Sequence, residues 1–200
     1  MAEVSAKLVK ELRDKSGAGF MECKKALVDA GGDLAAAEIA LRKRGVAIAQ
    51  KKSGRAANEG VVGSYIHAGA KLGVLVEVNC ESDFVARTDD FQQLVKDIAM
   101  QIAAADPQYI TREQVPAEIV EKERQIQRDR ALEEGKPAAV VDRIVDGRMG
   151  KFYEEIVLVD QPFVKDPSAT IGSLLQTKIA KLGENMTIRR FRRFKVGEGS

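Results

Sequence analysis

The sequence predicts an α+β fold: a small N-terminal bundle of three helices, then a mixed region in which a three-stranded antiparallel sheet is packed with helices. Three observations predict it. Apolar residues recur at helical spacings of three and four through residues 5–45. From residue 61 the pattern switches to alternation, interrupted by the turn pair Gly69-Ala70. Helical spacing returns at Phe91 and gives way to a closing run, 186–196, rich in strand formers.

Each element follows from its residues. Val4, Leu8 and Leu12 recur every four residues and mark a first helix, with Ser5 as its N-cap and Ser16-Gly17-Ala18-Gly19 as its end. Phe20, Cys23 and Leu27 form the stripe of a second helix, stopped by Gly31-Gly32. Asp33 caps a third, with Leu34, Ala37 and Leu41 as its stripe and Gly45 as its stop. Residues 46–60 are rich in Ala, Lys, Gly and Asn, and Gln50–Arg55 reads as a solvated linker. The expected division is a three-helix domain and linker over 1–54 and an α+β core over 55–200.

Val61–His67 and Lys71–Asn79 read as an antiparallel hairpin, with Leu72, Val74, Val76 and Val78 on one face. Phe91, Leu94, Val95, Ile98 and Ile102 mark an amphipathic helix. Pro107 and Pro116 bound a loop, and Pro116 starts a charged helix that stops at Gly135. Val140, Val141, Ile144, Val145, Met149, Phe152 and Ile156 give another helical stripe, and Gln161-Pro162-Phe163-Val164 reads as a loop. The last helix carries Ile171, Leu174, Leu175, Ile179 and Leu182 before Gly183. Thr187, Ile188, Phe191, Phe194 and Val196 then favour a strand.

Composition removes several classes of function. With 44% hydrophobic and 31% charged residues the chain is expected to fold rather than remain disordered. No run approaches the roughly 18 apolar residues of a membrane span, and no secretory signal opens the sequence. One histidine, His67, removes most zinc sites and most histidine-dependent catalytic clusters. Cys23 and Cys80 have no pairing framework and are expected as reduced, buried thiols; a hydrolase built on Cys80 and His67 lacks a third orienting group. No phosphate-binding glycine loop is present.

Two segments carry functional readings. Arg189-Arg190-Phe191-Arg192-Arg193-Phe194-Lys195 interleaves aromatics with basic residues, as single-strand nucleic-acid binders do. Its simpler reading is a solvated basic face with Phe191 and Phe194 packed inward, and a net charge of only +2 favours that one. Phe84, in Ser82-Asp83-Phe84-Val85 after the hairpin, either projects as an interface anchor or caps the core of the sheet. Periodicity alone favours the cap.

Leu8-Val9-Lys10-Glu11-Leu12-Arg13, Gly17-Ala18-Gly19 and Cys23-Lys24-Lys25-Ala26-Leu27 resemble the opening of the bacterial and organellar translation elongation factor Ts family. Glu77-Val78-Asn79-Cys80 with Ser82-Asp83-Phe84-Val85-Ala86 resembles that family's Thr-Asp-Phe-Val signature. Gly147-Arg148-Met149, Gln161-Pro162-Phe163-Val164 and Val196-Gly197-Glu198-Gly199 match in the family's order, so the resemblance spans the chain. Ser82 stands where threonine is usual and Phe20 where methionine is common. The chain resembles the short form, which in some relatives is a homodimer.

The resemblance implies an N-terminal bundle similar to ubiquitin-associated domains. It implies a guanine nucleotide exchange factor, without covalent chemistry or a cofactor, that binds elongation factor Tu·GDP and promotes GDP release by disturbing the magnesium and phosphate site. On this resemblance Arg13, Phe20, Met21 and Lys24 dock on the partner's GTPase domain. Ser82, Asp83, Phe84, Val85 and Ala86 press near its magnesium, and Phe163 and Val164 lie in a region that meets a more distant partner domain. The expected partner is elongation factor Tu, with pairing to a second copy left open. No membrane or direct nucleic-acid contact is expected, and the expected location is the cytoplasm. An RNA-binding module built on the C-terminal arginine strand is the alternative.

Overall fold

The computed structural model describes residues 4–198; Gly199 of the closing motif lies outside them. The fold is α+β, with helices at the N-terminus and a three-stranded antiparallel sheet packed with helices. Close backbone approaches divide it into two compact units. The first holds the residues up to Ser64 with Leu75–Asp97 and Ser173–Phe191; the second holds Tyr65–Val74, Ile98–Gly172 and the residues from Arg192.

The first unit begins with helices α1 (Ala6–Ser16), α2 (Phe20–Asp29) and α3 (Leu34–Lys52). The Ser5 side chain accepts from the Leu8 N–H, and Asp33 accepts from the N–H groups of Ala35 and Ala36, so both expected caps are present. Val9, Leu12, Cys23, Ala26, Leu27, Ala37 and Leu41 form the buried core, with Val4, Leu8 and Leu34 packed at its edge. Burying a leucine such as Leu12 or Leu27 stabilises this bundle by about 2–3 kcal/mol.

Two helical expectations change. Phe20, read as part of the α2 stripe, is half in solvent, and Ala26 takes the inward position. Helix α3 also runs through Gly45 to Lys52. Val46-Ala47-Ile48-Ala49 continue the helix, and a side chain at Gly45 would stand 3.7 Å from the Ala180 Cβ. That is ordinary contact, so the glycine is neither a C-terminal stop nor a required packing gap, and it costs the helix about 1 kcal/mol.

The sheet has the order β1-β2-β5, from β1 (Glu59–Ile66), β2 (Leu72–Cys80) and β5 (Met186–Lys195). Val74, Val76 and Val78 are buried as the alternation predicts, while Leu75 between them is exposed. Helix α5 (Asp89–Ala105) follows the one-turn helix α4 (Asp83–Ala86) and buries Phe91, Leu94, Val95, Ile98 and Ile102. A side chain at Gly63 of β1 would overlap Val95, so bare backbone lets α5 lie against that strand.

In the second unit α6 (Ala117–Glu133) pairs with α7 (Ala138–Ile156) around Ala131, Val141, Val145 and Met149. Arg124–Asp146, Arg128–Asp142 and Arg148–Glu134 ion pairs dress its outside; being exposed, each adds little. The segment read as a loop contains a short strand. There β3 (Pro162–Phe163) pairs antiparallel with β4 (Asp166–Thr170). Two residues with a proline among them are too short a run to show alternation. Helix α8 (Ile171–Leu182), which from Ser173 belongs to the first unit, follows and ends at Gly183, whose φ of 77° is the left-handed conformation a helix stop uses.

Candidate functional site

Strand β2 delivers the chain to a one-turn helix. Ser82 is its N-cap, with its hydroxyl accepting from the Val85 N–H at 3.4 Å. Arg87 donates to Asp83 at 2.8 Å, and Gln92 Nε2 donates to the Ala86 carbonyl at 2.7 Å, so the far end is held as well. Ala86 is buried beneath the turn, and Val85 is half-buried. Phe84 is 82% exposed, so it does not cap the sheet core as periodicity favoured. A single helical turn puts Val85 and Ala86 inward and leaves Phe84 on the outer side, a direction that strand periodicity cannot foresee.

The support for this turn comes from the other end of the chain. Glu184, just past α8, accepts on Oε2 from the N–H groups of Glu81 (3.1 Å) and Ser82 (3.0 Å). Its Oε1 accepts from the Ser82 hydroxyl at 2.6 Å. Asn185, buried, donates its backbone N–H to Glu81 Oε1 at 2.6 Å and its side-chain N–H to the Ser53 and Arg55 carbonyls. Asn185's N–H, foremost, and Arg55 nearby hold the Glu81 carboxyl below its ordinary range. Neither Glu184 nor Asn185 has any local signal in the sequence, because their partners lie about a hundred residues away.

The remaining residues named by resemblance fall in different places. Arg13 and Lys24 are exposed on α1 and α2. Phe20 is 48% exposed and Met21 71% exposed, an apolar pair on a bundle whose core is already filled. Phe163 is buried in its hairpin, whereas Val164 beside it is exposed, with its N–H donated to the buried Gln101 Oε1 at 2.9 Å. Of these two residues, Val164 is the one at the surface.

The basic strand differs from its simpler reading. Phe194 is exposed rather than packed inward, and Phe191 is half-buried. The inward alternation of Met186 and Ile188 slips by one residue, so Arg193 turns inward instead. Arg193 pairs with Asp106 and Glu198, Lys195 with Glu198, and Arg190 with Glu77 at 2.6 Å. Much of the run's charge is already matched.

Cys23 and Cys80 are free and buried. Burial, foremost, and the nearby Glu184 carboxylate push the Cys80 thiol up to about 11. It stays protonated near neutrality, the opposite of an activated nucleophile. Among the described residues no three His, Cys, Asp or Glu side chains converge where a metal ion could sit. No helix among them is long and apolar enough to cross a membrane.

One ion-pair cluster secures the frame behind the turn. Asp90, at the start of α5, accepts from Lys178 at 2.6 Å and from Lys181 at 2.9 Å, both on α8. The Lys178 hydrogen bond, foremost, and then Lys181 hold its carboxyl below the ordinary 3.8. A lowered folded-state value means the clamp's stabilisation is complete above the ordinary value and is lost as pH falls through the lower one. Asp90→Asn is expected to destabilise by about 1–2 kcal/mol at pH 7, since the cluster is partly exposed. Urea unfolding at pH 7 and near pH 3 checks this: the gap between variant and wild type narrows on acidification. A gap that stays constant with pH contradicts the clamp.

Comparison with known proteins places this architecture among the translation elongation factors. The family model described as Elongation factor TS matches residues 7–198. The elongation factor Ts of Solibacter usitatus is 62% identical over 198 residues, covering 99% of this chain and 93% of the relative. Those of Carboxydothermus hydrogenoformans and Caldanaerobacter subterraneus are 57% and 58% identical over 196 residues, 98% of this chain, and the match covers 90% and 98% of the two relatives. The chain belongs to the elongation factor Ts family.

Proposed function

We propose that this chain is a cytoplasmic guanine nucleotide exchange factor that binds elongation factor Tu·GDP and speeds loss of GDP so that GTP can bind. The observation that carries the reading is Phe84, an aromatic ring almost wholly in solvent on a turn held at both ends, inside the family's signature. An exposed aromatic on an ordered turn is the form of an interface anchor. In this reading Ser82–Ala86 enters beside the partner's magnesium and phosphate site. Magnesium offsets phosphate charge in GTPases, so moving the groups that support the ion weakens metal and nucleotide together.

The exchange factor performs no covalent step. It binds the nucleotide-free partner better than the nucleotide-bound one. Linkage makes the effect reciprocal: the factor by which it weakens GDP is the factor by which GDP weakens it. The bundle within residues 1–54 supplies docking through Arg13, Phe20, Met21 and Lys24, and Val164 supplies a more distant contact.

The test is release of a fluorescent GDP analogue from purified elongation factor Tu in excess unlabelled nucleotide. Substoichiometric chain is expected to accelerate release of the whole pool. Release at the partner's intrinsic rate at every concentration sinks the proposal. The RNA-binding alternative predicts instead an association with RNA that weakens steeply with salt. The carboxylates already paired to Arg190, Arg193 and Lys195 speak against it.

A further inference from the structure

We infer that the turn Gly183–Asn185, through Glu184 and Asn185, positions the Ser82–Ala86 segment and couples it to the N-terminal bundle; the inference rests on the exchange reading above. Glu184 is a three-pronged acceptor, taking two consecutive backbone N–H groups and one hydroxyl at the start of the turn. A carboxylate receiving several donors makes hydrogen bonds roughly twice as strong as neutral ones. The Ser82 hydroxyl is a relay: it donates to Glu184 and accepts from the Val85 N–H, so the carboxylate fixes the first turn of α4 from outside it. A one-turn helix has no stability of its own, so the direction of Phe84 depends on this external hold.

Gly183 and Asn185, on either side of Glu184, grip the chain at and just past the end of α3. Lys52 Nζ donates to the Gly183 carbonyl. Asn185 Nδ2 donates to the Arg55 carbonyl at 2.7 Å and the Ser53 carbonyl at 3.4 Å. Glu81 closes the loop, accepting from the Asn185 N–H and pairing with Arg55 at 3.6 Å. One short turn thus joins the end of α3, the last helix of the docking bundle, to the first residues of the exchange segment. Docking through the bundle and delivery of Phe84 then act as one rigid event. Glu184 and Asn185 need touch no partner atom to do this; they are positioning residues.

The prediction separates positioning from docking. Glu184→Ala is expected to lower the maximal rate of GDP release from elongation factor Tu by about fivefold to thirtyfold, a loss on the scale of one charge-assisted hydrogen bond. The concentration giving half-maximal rate should move less than about twofold. Ser82→Ala should reproduce part of the fall, and Ser82→Thr, which keeps the hydroxyl, should restore it. Glu184→Gln, which retains volume, should fall between wild type and alanine. Amide relaxation of Phe84 in the free, full chain gives a readout that needs no partner: the turn should become more mobile in Glu184→Ala, with the core amides of α5 unchanged.

Equal mobility of Phe84 in Glu184→Ala and wild type overturns the inference, whatever the kinetics. So does a maximal rate within twofold of wild type for Glu184→Ala when Phe84→Ala lowers it. If wild-type chain leaves GDP release at the intrinsic rate, the exchange reading fails; if only Phe84→Ala leaves exchange intact, the ring drops out of the mechanism. In both cases the relaxation measurement still decides whether Glu184 orders the turn.

Discussion

Phe84→Ala is expected to lower the maximal rate of GDP release from elongation factor Tu by roughly tenfold to a hundredfold, the range of a truncated aromatic anchor. The side chain contributes almost nothing to the folded state, because most of its surface meets water. Its removal should therefore change stability by less than about 0.5 kcal/mol. Ser82, Asp83 and Val85 keep their backbone positions, since the clamps use Glu184, Arg87 and Gln92 rather than the ring. Docking through Phe20 and Met21 is untouched, so the half-saturating concentration should shift much less than the rate. Stopped-flow release at several concentrations separates the two quantities. Phe84→Leu should recover part of the rate by restoring apolar volume. A wild-type maximal rate for the alanine variant would remove the ring from the mechanism and leave docking as the source of exchange.

How much of this was legible in the sequence depends on how local the determining contacts are. The helices and the hairpin were readable because their residues repeat at periods of 3.6 and 2, and the caps Ser5 and Asp33 are one-residue signals. Gly45 misleads because a helix can run through a single glycine at modest cost, and Val46-Ala47-Ile48-Ala49 carry this one on to Lys52. The hairpin at Pro162–Thr170 is too short to show a pattern. Phe84 was visible as a residue but not as a direction: strand alternation argued inward, and one helical turn reversed it. Phe20 behaved alike, fitting a core stripe by spacing while the bundle closed without it. Glu184 was wholly hidden. Its partners at Glu81 and Ser82 are brought to it by the sheet, and no spacing rule reaches across that gap.

Gly60→Ala should be the most destabilising small substitution in the sheet. Gly60 lies in β1 at a φ of 148°, a conformation costly for any residue with a Cβ. An added Cβ would overlap the Val78 carbonyl oxygen and stand 2.7 Å from the Asn79 Cα. Both obstacles are backbone of the neighbouring strand, so no side chain can rotate away. Strand β1 would have to lift from β2, loosening the bond from Asn79 Nδ2 to the Glu59 carbonyl. Backbone strain of about 1–3 kcal/mol and lost ladder bonds of about 1 kcal/mol each suggest a total of roughly 3 kcal/mol or more. For a chain of this size that lowers Tm by about 6–12 °C. Gly147→Ala is the control: Gly147 is inside α7 with nothing near its missing Cβ, so alanine should stabilise by about 0.5–1 kcal/mol. Calorimetric melting of the three proteins reads both effects, and a Gly60→Ala melt within about 2 °C of wild type contradicts the contact. The strain falls where β2 leads into Glu81 and Ser82, so exchange activity should fall in the folded variant too, unlike Gly147→Ala. That pairing connects the tightest approach in the sheet to the aim of Phe84.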